Sequence, residues 1–408
     1  MKKNPFISVI TIHHFRNLWL AQITSQIALN MLSFVLAIHV YQTTQSNTAV
    51  SLLLLTFSIP AAIFGVIAGG IVDIFDKRDI LFYCNLTRFF LFFTFFIFSH
   101  NVFAIYFIAI IFSLVTQLFI PAEVPTIPLL VSKSLLLTAN SLFTVSFYLS
   151  TILGFVLSGP MLKIFGSSYV FLLMAALMGL ASVFISFLPK RMVEIKLSFI
   201  DIGKAIDEGL QYIKSSTRVT QSLFLATFTQ VLIMTLVVLA PGFADKVLNI
   251  ELTDASYLIM GPAAIGLVIG AMLVGEYGNK FLKGTLIRTG IISTGIILIL
   301  SSLLTSVSDH SIVLGNLIFA FLLLFLLGFF NSFISVPANT ILQQDSYGAM
   351  RGRIYGILTS MTSGISALPI FFSGVIADVV GVSRTLLLIG TITFIIGAYN
   401  WWQRIIEK

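Results

Sequence analysis

The stretch Ile59-Pro-Ala-Ala-Ile63 recurs as Gly261-Pro-Ala-Ala-Ile265, and Ile120-Pro-Ala-Glu123 has a weaker counterpart in Val336-Pro-Ala-Asn339. The members of each pair are separated by close to half of the chain. Long apolar stretches make up most of the sequence around them. An internal repeat in such a sequence indicates two similar membrane bundles with a cavity near the midplane between them. The repeat therefore sets the fold class that we expect.

The composition is that of a membrane protein. Hydrophobic residues make up 58% and charged residues 10% of the 408 residues, whereas soluble domains contain about 45–50% apolar and about 25% charged residues. A membrane-spanning helix needs about 20 apolar residues, because its backbone polar groups must be paired within the segment. We predict an all-α integral membrane protein with twelve transmembrane helices in two pseudo-symmetric six-helix bundles. The predicted spans are 15–40, 50–72, 80–98, 102–130, 137–162, 168–188, 219–244, 255–278, 285–305, 312–341, 353–377 and 383–403.

A polar segment, residues 189–218, separates an N-terminal bundle, residues 1–188, from a C-terminal bundle, residues 219–408. Within this segment Ser198 and Asp201 have the spacing of a capping box. The apolar residues that follow helical spacing after it are Phe199, Ile202, Ile206, Leu210 and Ile213. We interpret the segment as an amphipathic helix on the cytoplasmic face. A plain tether between the bundles is an alternative that is compatible with it.

The basic residues predict the orientation. If the N-terminus is cytoplasmic, the 23 lysines and arginines lie on the cytoplasmic side except Lys163, Lys246 and Arg384, which are outside, and Arg88, which is within a span. Basic loops resist translocation, so this asymmetry predicts a multi-pass protein of the cell membrane with both termini in the cytoplasm. The net charge of +7 then follows from topology, and no nucleic-acid partner is expected.

The residue types that usually carry enzyme chemistry are not arranged for it in this sequence. Cys84 is the single cysteine, and no cysteines and histidines cluster at metal-ligand spacing. We therefore expect no intramolecular disulfide, no metal site and no cofactor. The sequence also has no glycine-rich phosphate loop and no nucleophile with a nearby base, so an enzyme is not expected.

Several short motifs follow one another along the whole chain. Those of the first two spans are Phe15-Arg-Asn-Leu-Trp-Leu-Ala-Gln-Ile-Thr-Ser25, Gln45-Ser46-Asn47, Pro60 and Gly69-Gly-Ile-Val-Asp73-Ile-Phe-Asp76-Lys77-Arg78. The later ones are Phe119-Ile-Pro-Ala-Glu-Val-Pro-Thr-Ile-Pro-Leu-Leu-Val131, Gly275-Glu-Tyr-Gly-Asn279, Pro337-Ala-Asn-Thr-Ile-Leu-Gln343 through Arg351-Gly-Arg353, and Ala377-Asp378 followed by Gly381. In this order they resemble the major facilitator superfamily, especially its bacterial drug and macrolide efflux branch, which includes siderophore exporters. The resemblance implies a transporter that works by alternating access, and we expect it to act as a monomer.

The resemblance also implies a cytoplasmic latch after the second span. In the family, a Gly followed four residues later by Asp and then by basic residues holds that Asp against a helix N-terminus of the other bundle. Gly69, Asp73, Lys77 and Arg78 match this pattern, while Ile74 replaces the family's Arg. An Asp at an exposed helix N-terminus contributes about 0.3–1 kcal/mol, which biases two conformers of similar energy. A short turn without a mechanistic role is the alternative.

The first span has a polar face, because Gln22, Gln26, Asn30 and Ser33 recur in steps of four and three residues. Unpaired amides are unfavourable in hydrocarbon, so these should face protein or a wet cavity. By analogy with the family, the first and seventh spans line the substrate cavity. The candidates for its lining are Gln22, Gln26, Asn30, Gln117, Thr227, Gln230, Asn331, Ser335, Ser360 and Ser363. Hydrogen bonding between helices without ligand contact is the alternative.

Proton coupling usually relies on an embedded carboxylate that binds and releases a proton. Asn30 occupies the region of the first span where relatives often carry an acid, and Phe112 and Ser113 replace the family's drug-efflux Arg. Arg88 on the third span and Glu123 near the cytoplasmic end of the fourth remain as coupling candidates that could pair. Alternatively, Arg88 snorkels to the interface and Glu123 caps a helix end broken by proline.

The fifth span contains Gly154, Gly159 and Pro160, followed by Gly166. This series resembles a reduced form of the Gly-Pro motif of antiporters in the superfamily, in which glycines permit close helix packing and proline disturbs the backbone. It therefore favours export. A packing kink without a bearing on direction is the alternative.

The sequence contains 39 phenylalanines, most of which should face lipid or pack in the core. Some are expected to form an aromatic, weakly polar cavity suited to amphiphiles. No paired basic residues face the midplane, which argues against highly charged substrates. We expect a secondary transporter that exports small amphipathic organic compounds in exchange for protons. The alternatives are a lipid or lysophospholipid transporter of the same fold, and a non-transporting membrane sensor or assembly protein.

Overall fold

The computed structural model describes residues 5–132, 135–190, 217–277, 281–303, 313–345 and 350–403, together with Gln211 and Ser215. Within these ranges the chain is helical and has no β-strand. The helices are α1 (Pro5–Ile10), α2 (His13–Thr44), α3 (Asn47–Ile74), α4 (Lys77–Ile97), α5 (Val102–Leu130), α6 (Leu136–Ser186), α7 (Thr217–Phe243), α8 (Ala255–Leu258), α9 (Met260–Tyr277), α10 (Lys283–Leu303), α11 (Val313–Asp345), α12 (Met350–Val380) and α13 (Val382–Gln403). A π-helical turn, Ala244–Leu248, follows α7.

The helices provide twelve membrane spans within the part of the chain that the structure describes. Eleven helical segments are long and apolar enough to cross a bilayer, and α6 supplies two spans because its backbone is broken at Gly166. Gly166 has φ 78° and ψ 169°, a conformation that a residue with a Cβ rarely adopts. The predicted spans 137–162 and 168–188 lie on either side of it. The predicted all-α fold with twelve spans is confirmed.

The observed helices agree with the predicted spans to within a few residues, and α5 has the predicted limits. The first span extends beyond the prediction because the polar residues after it remain helical. The Thr43 hydroxyl donates to the His39 carbonyl at 2.9 Å, and the Thr44 hydroxyl donates to the Val40 carbonyl at 2.7 Å. Such bonds satisfy a hydroxyl inside a helix, so α2 continues to Thr44.

Side-chain caps set where two of the helices begin. The Asp76 carboxylate accepts from the backbone N–H of Arg78 at 2.8 Å and of Asp79 at 3.4 Å, and α4 begins at the next residue, Lys77. The Asn101 side chain accepts from the N–H of Ala104 at 3.1 Å ahead of α5. Caps of this kind satisfy N–H groups that have no partner inside the helix.

The chain divides into two compact units, and each draws on both halves of the sequence. The first unit comprises Met1–Leu36, Thr56–Gln211 and Ala349–Gly364, and the second comprises Ala37–Leu55, Tyr212–Gly348 and Ile365–Lys408. The predicted bundle limits, 1–188 and 219–408, stay a prediction. The amphipathic helix predicted within residues 189–218, including Ser198 and Asp201, lies outside the described residues.

Each unit has an apolar core of its own. The larger core cluster of the first unit includes Phe15 and Leu18 of α2, Leu81 of α4 and Phe119 of α5, all of which are buried. In the second unit α7, α10 and α11 pack through a smaller cluster. Its buried members are Leu225, Ile287, Ile291, Ile334 and Ala338. The core of the first unit packs against the helices that carry the site described next.

Candidate substrate cavity and buried charges

A cavity of about 200 Å³ lies among α2, α3 and α5 in the first unit. Its wall combines amides and hydroxyls with aliphatic and aromatic side chains. The residues that line it are Gln26, Leu29, Asn30, Leu32, Ser33, Phe57, Phe112, Ser113, Thr116 and Gln117. None of these side chains is ionisable at neutral pH. The lining of this cavity is therefore polar in part but uncharged.

Hydrogen bonds hold the polar side chains of the wall through their donor atoms. The Asn30 amide nitrogen donates to the Gln26 carbonyl at 2.8 Å. The Gln117 amide nitrogen donates to the Ser113 carbonyl at 3.4 Å, and the Ser113 hydroxyl donates to the Phe57 carbonyl at 2.9 Å. The side-chain oxygens of Asn30 and Gln117 take no part in these bonds and are acceptors on the wall.

The structure brings together three of the predicted cavity residues: Gln26, Asn30 and Gln117. Gln22 is buried one turn away, where its amide nitrogen donates to the Phe143 carbonyl at 3.1 Å. The Ser360 hydroxyl of α12 donates to the Ala61 carbonyl of α3 at 3.1 Å. The predicted residues in the second unit are Thr227, Gln230, Asn331 and Ser335, whereas Ser363 belongs to the first, and none of these five lines this cavity.

Gly154 allows α6 to pack closely against the part of α2 that forms the cavity wall. A Cβ atom at this position would lie 2.7 Å from the Asn30 Cβ and 2.8 Å from the Ile27 carbonyl oxygen, which is too close for either contact. Gly159 and Pro160 lie inside α6 without interrupting it, because its break is at Gly166. Of the predicted packing residues, Gly154 is thus the one that positions a cavity side chain.

Arg88 of α4 and Glu123 of α5 are buried in the first unit, with 0% and 4% of their surfaces exposed. The Arg88 Nη1 donates to the Asn85 Oδ1 at 3.2 Å. The guanidinium carbon lies 4.5 Å from the ring centroid of Phe119 and 5.9 Å from that of Phe112. Phe112 also lines the cavity, so the cavity wall and the surroundings of Arg88 share this aromatic ring. Arg88 is enclosed by protein and does not snorkel.

Several polar atoms around this charged pair have no hydrogen-bond partner within the described structure. They are the Nε and Nη2 atoms of Arg88, the Nδ2 atom of Asn85 and the Oε1 atom of Glu123. A buried carboxylate oxygen without a partner is unfavourable, and a proton on Glu123 would remove its charge. Glu123 is therefore a buried acid whose Oε1 atom has no hydrogen-bond partner within the described structure.

An ion pair and a hydrogen bond to the backbone join the start of α4 to the end of α6. The Arg78 guanidinium pairs with Asp79 at 2.6 Å and donates to the Ser186 carbonyl at 2.9 Å. The Lys190 ammonium lies 3.3 Å from the other Asp79 oxygen. Asp79 is not among the residues predicted from the sequence, although its spacing from the capping Asp76, just before an apolar run, is a helix-start signal.

Two members of the predicted cytoplasmic latch, Gly69 and Asp73, lie in the last turns of α3. The Asp73 side chain is outside the described part of the structure, and Lys77 is the first residue of α4. Among the four latch residues, Arg78 contacts Asp79 and the Ser186 carbonyl.

The sequence profile of the Major Facilitator Superfamily matches residues 18–370. The chain belongs to the Major Facilitator Superfamily. This superfamily member is therefore a multi-pass membrane transporter. It is 25% identical over 377 residues to the uncharacterized MFS-type transporter YfiS of Bacillus subtilis (strain 168), covering 89% of this chain and 86% of that protein. It is 24% identical over 392 residues to macrolide efflux protein A of Streptococcus pyogenes, covering 93% of each.

Solved structures share the fold of this superfamily member across almost its entire length. The nucleoside transporter NupG is 12% identical, with a TM-score of 0.74 over 95% of this chain and 98% of that one. The POT family transporter PepTSo is 14% identical, with a TM-score of 0.71 over 95% and 96%. A bacterial homolog of the human lysosomal transporter Spinster is 12% identical, with a TM-score of 0.69 over 98% and 96%. At such identities the likeness shows the fold alone.

Proposed function

We propose that this transporter exports small amphipathic organic compounds across the cell membrane in exchange for protons. The observation that carries the proposal is an uncharged, partly aromatic cavity whose Phe112 also lies beside the buried guanidinium of Arg88, in a unit that buries the carboxyl group of Glu123 as well. The similarity to macrolide efflux protein A over 93% of the chain supports the export direction.

The chemistry of the cavity wall favours an amphipathic substrate. Phe57 and Phe112 offer apolar surface, while the amide oxygens of Asn30 and Gln117 can accept hydrogen bonds from a substrate hydroxyl or N–H group. A highly charged compound would lose its hydration without meeting an opposite charge on this wall, which is strongly unfavourable. Apolar walls with a few placed polar groups are typical of sites for small organic ligands.

Glu123 is the group that we assign to proton exchange. With Glu123 ionised, the carboxylate balances the buried guanidinium of Arg88; with Glu123 protonated, that balance is lost and Arg88 is the remaining charge. Arg88 lies 5.9 Å from the ring centroid of Phe112 on the cavity wall. A change in the charge balance of Arg88 can therefore favour one conformer of this wall over another, because a ligand or proton shifts an equilibrium by its differential affinity for the two states. Export then follows if substrate and proton favour opposite conformers.

We also propose that Gly69, Asp73, Lys77 and Arg78 form the cytoplasmic latch, that the protein acts as a monomer, and that both termini are cytoplasmic.

The latch is tested at Asp73. Replacing Asp73 by Asn would retain the shape of the side chain and remove its charge. We expect lower transport at unchanged membrane insertion. Unchanged transport would remove Asp73 from the mechanism.

The decisive experiment is retention of a fluorescent amphipathic dye and of a macrolide in cells that express the chain, with and without a protonophore. We expect lower retention that the protonophore reverses, and we expect Glu123→Gln to abolish this difference at equal expression. Glu251→Gln, which changes an exposed carboxylate of the loop before α8, is the matched control and should behave like the parent chain. If no amphiphile is exported in an energy-dependent way, the efflux proposal is wrong, and uptake of labelled lysophospholipid becomes the next test.

A further inference from the structure

Asp378, close to the end of α12, caps the first turn of α3 with its carboxylate. One oxygen accepts from the backbone N–H of Asn47 at 2.8 Å and from the Asn47 amide at 2.9 Å. The other accepts from the Ser46 hydroxyl at 2.5 Å and from the backbone N–H of Thr48 at 2.9 Å. All these residues belong to the second compact unit.

This cap differs from an ordinary helix cap because it comes from a distant part of the chain. Ser46 already provides the local cap, since its hydroxyl oxygen accepts from the N–H of Ala49 at 3.2 Å. Asp378 lies 331 residues after Asn47 in the sequence. Its carboxylate places a full negative charge at a helix end that carries a partial positive charge. Hydrogen bonds to an ionised acceptor are stronger than neutral ones. The carboxylate therefore joins α12 to α3.

Two glycines allow the neighbouring helices to pack closely around this contact. Gly374 lies one helical turn before Asp378, and a Cβ there would be 2.5 Å from the Asn47 carbonyl oxygen. Gly242 of α7 approaches the same residue from another helix, with a hypothetical Cβ 2.6 Å from the Asn47 Oδ1. Asn47 is fully buried between these helices. Two glycines thus permit the approach that lets Asp378 reach the start of α3.

The spacing of Gly374 and Asp378 is the spacing of Gly69 and Asp73 in the predicted cytoplasmic latch. One pair lies near the end of α12 and the other near the end of α3. Under the orientation predicted from the basic residues, the start of α3 and the end of α12 are at the outer face of the membrane. Transport by alternating access requires that this end of the protein close and reopen in each cycle.

We propose that Asp378 is a positioning residue of the transport cycle, which clamps the start of α3 to the end of α12 and so holds the outer entrance closed. Loss of its charge shifts the population toward a conformer open to the outside. The proposal rests on transport and on the predicted orientation, and it is independent of the substrate and of the coupling ion.

The test measures how accessible the cavity wall is from outside. Cys84, the single cysteine, is replaced by Ser, and Ser33 on the cavity wall is replaced by Cys as a reporter. Intact cells are treated with a membrane-impermeant maleimide, and the rate of labelling at position 33 is measured. We expect Asp378→Asn to raise this rate by about five- to tenfold, and labelling in inverted vesicles to fall. Glu251→Gln is the control and should leave both rates unchanged.

A second variant keeps the proposal falsifiable if Asp378→Asn fails to accumulate. Ser46→Ala removes one of the four hydrogen bonds and leaves the carboxylate charge in place, so a smaller rise is expected. Unchanged or slower outside labelling in these variants would overturn the proposal. An increase confined to inverted vesicles would also overturn it, because the clamp would then act at the cytoplasmic end. The assay needs neither substrate nor proton gradient, so failure of the proton-coupled efflux proposal would leave its result intact.

Discussion

Arg88 is held inside the first unit by interactions of different kinds. It donates a hydrogen bond to Asn85 and lies over the ring of Phe119, a contact that contributes about 2 kcal/mol when the cation is desolvated. Two of its nitrogens nevertheless make no hydrogen bond in the described structure. An ionised Glu123, buried in the same unit, balances the charge of this guanidinium.

We predict that Arg88→Met strongly destabilises the protein, because it leaves Glu123 as an uncompensated buried charge. The expected loss of unfolding free energy is about 3–5 kcal/mol, measured by thermal unfolding of the purified protein. The double variant Arg88→Met/Glu123→Gln should regain most of this stability, since no unpaired charge remains, but should not transport in a proton-dependent way. A double variant that is no more stable than Arg88→Met would contradict the prediction.

At the scale of single elements, the start of α4 depends on one carboxylate. Asp76→Ala removes the acceptor for the N–H groups of Arg78 and Asp79, and loss of such a cap lowers stability by about 1 kcal/mol. We expect a lower melting temperature and faster hydrogen exchange in the first turn of α4. Asp76→Asn keeps an accepting oxygen and should lie close to the parent protein. Equal effects of the two substitutions would argue against capping.

The packing of α6 against α2 gives a second prediction at this scale. Gly154→Ala should displace Asn30 or the Ile27 backbone, because the added Cβ has no room between them. Overpacking of this kind lowers the free energy of unfolding by about 1–3 kcal/mol, and the shift of Asn30 should weaken the apparent affinity for substrate. Gly261→Ala in α9 is the matched control, since a Cβ there meets nothing within 4 Å. Equal tolerance of both substitutions in stability and transport assays would refute this packing role.

The sequence predicted the spans more closely than the partners of the polar side chains, for a physical reason. Backbone pairing in hydrocarbon is a requirement of each segment by itself, so apolar length alone predicted the limits of α5. Gln22 and Gln26 share a helix face, yet Gln22 bonds to the Phe143 carbonyl of α6 while Gln26 lines the cavity. Which of them meets a neighbour depends on how two helices pack, and a local pattern does not contain that information. The hydrogen-bond partners of Asp378 could not be predicted from the sequence for the same reason.

At the scale of the whole molecule, the distribution of basic residues predicts which loops face outward. In a background with Cys84→Ser, we expect His100→Cys, in the loop between α4 and α5, to react with an impermeant maleimide in intact cells. Leu282→Cys, exposed just before α10, should react after permeabilisation only. Labelling of both positions in intact cells, or the reverse pattern, would contradict cytoplasmic termini.

The uncharged lining of the cavity has an electrical consequence. Each elementary charge that crosses a potential of 100 mV exchanges about 2.3 kcal/mol with the field, and a neutral side chain that faces first one aqueous phase and then the other exchanges none. Arg88 and Glu123 carry opposite charges, so their joint movement cancels while both are ionised. The net charge that crosses the membrane in one transport cycle therefore equals the charge of the substrate plus that of the exchanged ion, each taken with its direction. A neutral amphiphile that leaves in exchange for one proton would bring one positive charge inward, so voltage alone could drive its export.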